Sequence, residues 1–166
     1  MGVLSTASLF AATVTTGLTA GLFAAFAYAV MPGLARTDDR TVVLAMRRIN
    51  ESILNLWFAV CFGGALLFTL LAAALHLGDG RRAVLPWIVA GLLLYLVVLG
   101  VTAVVNVPLN NVLARAGDVD DTTDLAALRA RFEVTWVRGN VVRAVASTGA
   151  FGLLAWALVA EGRLSG

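Results

Sequence analysis

The sequence predicts an all-α fold, an integral membrane four-helix bundle forming one domain over residues 1–166. Three observations predict it. The chain is 60% hydrophobic and only 13% charged, where an ordinary soluble domain is about 45–50% apolar and about 25% charged. Its mean hydropathy is +0.91. Its uncharged runs are also long. Residues 1–35 carry no ionisable side chain except Tyr28, residues 52–75 no acid, base or histidine, and residues 83–114 and 144–160 no charge. Each run reaches or approaches the ~20 helical residues that cross a hydrocarbon core about 30 Å thick.

The first span is expected over 6–32. It does not read as a signal peptide, because no basic segment precedes it and its apolar stretch exceeds the usual ~7–15 residues. Gly17 and Gly21 form a G-x-x-x-G that suits close helix packing, and Pro32 is assigned a structural role near the end. "RTDDRTVVLAMRRIN" then looks like a helix start, with Thr37 or Asp38 as cap and Val42, Val43 and Met46 as an apolar side. It reads as an inward extension of the second span (50–77) with a solvated face, in preference to a helix lying on the membrane surface. "HLGDGRRAVLP" is a short Gly/Asp turn, which makes the second span and the third (83–106) antiparallel neighbours.

"GDVDDTTDLAALRARFEVTW" repeats the earlier arrangement before the fourth span (138–160). Asp121 to Asp124 supply the cap and first-turn acids, and Leu125, Leu128 and Phe132 form a stripe at helical spacing. A faint internal repeat accompanies it. "VMPGLAR" (30–36) matches "VPLNNVLAR" (107–115), and "MRRIN" (46–50) can be laid on "WVRGN" (136–140). Two helical hairpins of like orientation would be related by an axis along the membrane normal.

Charge gives orientation and excludes some partners. Arg36, Arg40, Arg47, Arg48, Arg115, Arg129, Arg131 and Arg138 lie in the two longer connections, against Arg81, Arg82 and Arg163 on the other side. This bias puts the longer connections in the cytoplasm and both termini outside. The net charge of +2 does not point to nucleic acid, because the arginines sit at helix ends and form no basic face with aromatics. Cys61 is the only cysteine and His76 the only histidine, so no intrachain disulfide forms. A metal or haem site would need acids or a second subunit as ligands; no cofactor and no metal are expected.

The polar residues at one membrane level carry the functional information. Glu51 and Asn55 are one helical turn apart, as are Asn106 and Asn110. Trp136, Asn140 and Arg143 share a face where the fourth span begins. Unpaired amides in hydrocarbon cost several kcal/mol, so these groups must find partners or water. The amides of 106–111 are expected to cap the third helix, where Pro108 denies a backbone donor, and to bond to the second and fourth. Arg143 is followed by an uncharged run of 17 residues, about 26 Å of helix. It should therefore sit about a turn inside the boundary, either snorkelling to the headgroups or facing the bundle and pairing with Glu51 or the amides. An intramembrane arginine is by default a site hypothesis.

"VMPGL", "RRIN…ILN", "NVPLN" and the Trp136-x-x-x-Asn140-x-x-Arg143 pattern resemble the anthrone oxygenase-like family of small four-helix membrane proteins. Many bacterial members of that family have no known function. The resemblance covers nearly the whole chain. It carries over Asn50, Asn55, Asn106, Pro108, Asn110, Trp136, Asn140 and Arg143, and implies a multi-pass protein of a bacterial plasma membrane. Members often have a tryptophan just before the last asparagine and a histidine just after it; here those places hold Gly139 and Val141. The family reaction, oxidation of an anthrone to an anthraquinone by molecular oxygen, removes an acidic carbon proton and lets the enolate meet oxygen, with no obligatory metal or flavin.

For such chemistry Arg143 and Asn140 would stabilise the enolate, with Asn50, Asn55, Asn106 and Asn110 binding substrate and Trp136 stacking on a planar ring. Glu51 is the nearest base, its basicity raised if it is desolvated. Three functions fit the residues. One is a cofactor-independent oxygenase on a lipophilic aromatic or quinone-like substrate. Another is a non-enzymatic binder of a lipid or hydrophobic small molecule. The third is a structural or assembly partner whose polar cluster only holds helices together, a homo-oligomer included.

Overall fold

The computed structural model describes residues 2–78, 82–115 and 124–165. Among these the chain forms five helices and no strand: α1 (Gly2–Leu34), α2 (Asp39–Ser52), α3 (Leu56–Leu75), α4 (Leu85–Arg115) and α5 (Leu125–Ser165). Four of them, all but α2, are long and apolar enough to cross a membrane. The protein is an all-α membrane helical bundle. α5 packs along α1 and α4, α3 packs along α1, and a sparser α3–α4 seam closes the ring.

Three buried clusters stack along the bundle. At one end are Leu9, Ala72, Val84, Ile88 and Leu154. In the middle are Phe23, Ala65, Tyr95, Val98 and Ala150. At the far end Phe26, Met31, Val43, Met46, Leu113, Phe132 and Trp136 pack together. The outward surface is apolar too: Leu93 and Val145 are 59% and 69% exposed, an arrangement that lipid covers and water would penalise.

The inward face of α1 is rich in hydroxyls: Ser5, Ser8, Thr13, Thr15, Thr16 and Thr19 are buried. Most donate to their own helix, as Thr13 does to Leu9 O (2.8 Å) and Thr19 to Thr15 O (3.0 Å), which satisfies them without water. Of the G-x-x-x-G pair, only Gly17 makes a close approach. A Cβ there would meet the Phe151 ring at 2.9 Å, whereas at Gly21 it would meet nothing within 4 Å.

Three of the four spans contain one π turn: Phe26–Val30 in α1, Ala59–Gly63 in α3 and Thr102–Asn106 in α4. In α1 and α4 the turn is followed two residues later by Pro32 and Pro108. Proline lacks the backbone donor and its ring crowds the carbonyl four residues back, and the widened turn lets the helix continue. This corrects the expectation for 106–111. α4 does not end at Asn106 but runs through Pro108 to Arg115, so these amides are mid-helix groups and not caps.

The expected helix extensions separate into two cases. Residues 125–137 do continue into the fourth span as one helix, α5, and Asp124 Oδ1 accepts from Ala127 N (2.9 Å). Asp121 lies outside the described residues. α2, however, is a helix of its own. Asp38 caps it, accepting from Thr41 N (2.9 Å) and Thr41 Oγ1 (2.7 Å), and it stops at Ser52. Asn55 then adopts an extended conformation (φ −125°, ψ 171°) and caps α3. The second span therefore begins at Leu56 and not near residue 50. Val43 and Met46 belong to the far-end cluster and Val42 is buried as well, so the apolar side of α2 is used up inside the protein. Arg129 fixes this cap to α5: it donates to Thr37 O, Ala35 O and Asp39, and pairs with Glu133.

Candidate functional site

Where the π turns of α1 and α4 meet α2 and α5, a cavity of about 280 Å³ opens. Its wall is largely apolar, with Leu22, Phe23 and Phe26 from α1, Ile53, Leu54 and Phe58 from the α2–α3 elbow, and Thr102 and Val107 from α4. Into it come Asn50, Glu51, Asn106, Asn110, Asn111, Trp136, Asn140 and Arg143. Three helices, α2, α4 and α5, thus bring seven of the eight residues expected to act on or bind a ligand to one place.

Arg143 is the centre of the arrangement. It is 6% exposed and faces the bundle, not the headgroups. Its guanidinium lies 4.2 Å from the centroid of Phe23 and 5.4 Å from that of Trp136, and Nη2 donates to Asn140 Oδ1 (3.0 Å). Asn140 in turn donates from Nδ2 to Phe23 O (3.0 Å), which orients its oxygen toward the cation. Among the described residues Arg143 pairs with no carboxylate, and its Nε has no hydrogen-bond partner. Asn50 Nδ2 is likewise buried without a partner. The cavity walls thus leave two unsatisfied donors, one of them cationic, which is the chemistry that receives an oxyanion.

The other amides tie α4 to α5. Asn106 Nδ2 donates to Trp136 O (3.1 Å), and Trp136 Nε1 donates to Asn110 Oδ1 (2.7 Å). Asn106 Oδ1 is turned against Gly139, where an added Cβ would stand only 2.8 Å away. Gly139 therefore admits the close approach that places Asn106. The Trp136 ring is 4% exposed and enclosed by Phe26 and Phe132, each 5.7 Å between centroids. It walls the cavity more than it offers a free stacking face. Val141 is 44% exposed and lies on the outer face of α5, away from the cavity.

Two residues stand differently from expectation. Asn55 does not reach the cavity: its Oδ1 accepts from Phe58 N (3.0 Å) and its Nδ2 donates to Ser52 O (2.9 Å), both exposed. Its amide is used by the cap. Glu51 lines the cavity mouth but pairs with Arg47 (3.2 Å) and Arg48 (3.5 Å) of its own helix, with 49% of its side chain exposed. Neither the pairing with Arg143 nor the desolvation expected of Glu51 is present. The i, i+3 and i, i+4 spacing to two arginines was the sequence signal for that outcome.

A second buried polar group escaped the sequence reading. At the opposite end of the bundle His76, fully buried, places Nδ1 2.7 Å from Ala72 O and Nε2 3.4 Å from Glu161 Oε1. Glu161 also accepts from Thr6 Oγ1 (3.0 Å), so α1, α3 and α5 are tied there. Nothing in the local pattern links these three positions, which are remote in sequence. Among the described residues no three of His, Cys, Asp and Glu gather as a metal ion would require.

A family model described as anthrone oxygenase matches residues 54–153, more than half of the chain. The matched segment holds Asn106, Asn110, Trp136, Asn140 and Arg143, and begins after Asn50 and Glu51. No curated protein and no solved structure matches the chain.

Proposed function

The chain belongs to the anthrone oxygenase family, and from that premise we propose that its cavity is the site of a cofactor-independent oxygenase acting on a lipophilic aromatic or quinone-like substrate. The observation that carries the reading is the buried Arg143 guanidinium, which among the described residues has no acid partner and borders an apolar cavity of about 280 Å³. A buried cation without a counter-ion is costly, and a bound enolate supplies the missing charge.

The chemistry follows from placement. A substrate C–H conjugated with a ketone across an aromatic ring system loses its proton, and Arg143 with Asn50 holds the resulting enolate oxygen. The proton leaves at the mouth, through Glu51, the one carboxylate among the described residues of the cavity wall, to water. The enolate carbon is oxidised by O2, forming a C–O bond. The hydroperoxide then breaks its O–O bond and loses water, and the carbon is left as a second carbonyl. One O2 is consumed and one water released, so the reaction balances without a further reductant. Asn140 keeps the guanidinium aimed, and the apolar wall excludes water that would otherwise solvate the anion. The arginine bias supports an orientation in which this mouth is on the cytoplasmic side of the membrane.

A hydroxynaphthoquinone, planar and anionic at neutral pH, serves as a probe. At a hundredfold excess over its dissociation constant it should stabilise the parent protein in detergent by about 2.7 kcal/mol. Arg143→Ala should remove that stabilisation and abolish oxygen consumption with an anthrone, while remaining folded. A parent that no planar anion stabilises, together with an Arg143→Ala protein that melts far lower, would sink this reading and leave the cluster as a helix tie.

A further inference from the structure

We propose that the cavity is loaded sideways from the bilayer, through the elbow between α2 and α3, by a molecule dissolved in the lipid leaflet. The inference rests on the reading of the cavity as a ligand site and adds the phase and the route that supply it.

The elbow lies where charge stops. Arg47, Arg48 and Glu51 form ion pairs on the last turns of α2, and Leu56 opens a 20-residue apolar span. Between them the chain leaves the helix at Asn55. The side chains here face two ways. Ile53 and Leu54 line the cavity, while Leu54, Leu56 and Trp57 are 79%, 78% and 80% exposed. Large apolar groups and a tryptophan at this level meet the interface and the acyl chains. A molecule approaching Leu54 from outside therefore comes from lipid.

The wall at this point is thin. A second hollow, of about 380 Å³, lies behind the elbow and shares Leu22, Phe26, Ile49 and Ile53 with the cavity. Ile49 and Ile53 thus stand between the cavity and a shallower hollow on the outer surface. The elbow's polar hold is also local. Asn55 bonds to Ile53, Ser52, Phe58 and Ala59, all within the elbow and the start of α3, and among the described residues no hydrogen bond joins 53–55 to α1, α4 or α5. The segment can swing without breaking a tertiary polar contact, which is what a ligand gate requires.

The test reads access directly. In a Cys61→Ser background, Thr102→Cys puts one thiol on the cavity wall. The change is mild, because the Thr102 hydroxyl bonds only to Val98 O of its own helix. The protein in liposomes is treated with a long-chain N-alkyl maleimide or with a sulfonated maleimide confined to water. Each rate is normalised to that of the same variant unfolded in detergent. The alkyl reagent should label faster by about tenfold or more, and adding Leu54→Trp should remove most of that advantage. Equal labelling by both reagents, labelling by neither, or indifference to Leu54→Trp would overturn lateral loading. These rates do not depend on which ligand the cavity takes. A hydroxynaphthoquinone that fails to bind would count against the ligand reading alone.

Discussion

Arg143 and Asn140 share one hydrogen bond, yet their removal should have unequal consequences. Arg143→Ala deletes a buried cation that no acid among the described residues neutralises, and that relief offsets the donor lost to Asn140 Oδ1, so the unliganded protein should change by less than about 1 kcal/mol. Asn140→Ala removes the acceptor for Nη2 and the donor to Phe23 O, and leaves the guanidinium buried with only the Phe23 and Trp136 rings beside it. It should cost about 2–4 kcal/mol, read as a lower melting temperature in detergent. Equal losses for the two variants would show that Arg143 is a tie and not a receptor. Gly139→Ala should also destabilise, by about 1–3 kcal/mol, because its Cβ would press on an Asn106 already fixed to Trp136 O. Activity should fall with it. The partners at this scale were legible where they are one turn apart, as in Asn140 and Arg143. They were illegible where the contact is across the bundle, as in Asn106 on Gly139 or His76 on Glu161. Glu51 departs from expectation because Arg47 and Arg48, which also set the topology, lie one turn back on its own helix and pair with it.

At the scale of the element, α2 owes its start to Asp38. Its hydrogen bonds from the Thr41 side chain and backbone hold the carboxyl below its ordinary value of 3.8. A carboxylate depressed in the fold stabilises it fully above that ordinary value, and the contribution disappears as pH falls through the lowered one. Thermal melts should therefore show an acid-side loss that Asp38→Asn lessens, since the amide still accepts from Thr41 N but does not titrate. An unchanged acid limb would mean that the α2 cap does not limit stability there. The start of α2 was visible in the sequence, because Asp before an amphipathic stretch is a strong signal. Its end was not. "NESILNLWF" has no glycine or proline, and the break shows only in Asn55 standing as a cap before an apolar run. The π turns have no sequence code at all, although the two prolines behind them are a consequence of the same local geometry.

For the whole molecule, the charge-free runs were enough to predict four spans, because a bilayer imposes length and composition more strictly than any core does. The orientation that the arginines imply has a direct test. A phosphatase fused after Gly166 should be active and a fluorescent protein fused there dark, as expected outside the cytoplasm; the reverse pattern would invert the molecule. The cavity itself depends on a feature no pattern of hydropathy records. A π turn inserts one residue into a helix without ending it, and so advances everything beyond it by about 100°. In α4 the stretch before Thr102 and the stretch after Asn106 therefore keep separate angular phases. The first buries Tyr95 and Val98 among the helices, and the second buries Leu113 and brings Asn110 to Trp136. Deleting a single residue such as Val104, which is 73% exposed, would merge the two phases. Asn110 and Leu113 would then rotate out of place while every apolar residue before the π turn kept its own, leaving a helix still suited to the membrane with its polar end dialled to the wrong bearing.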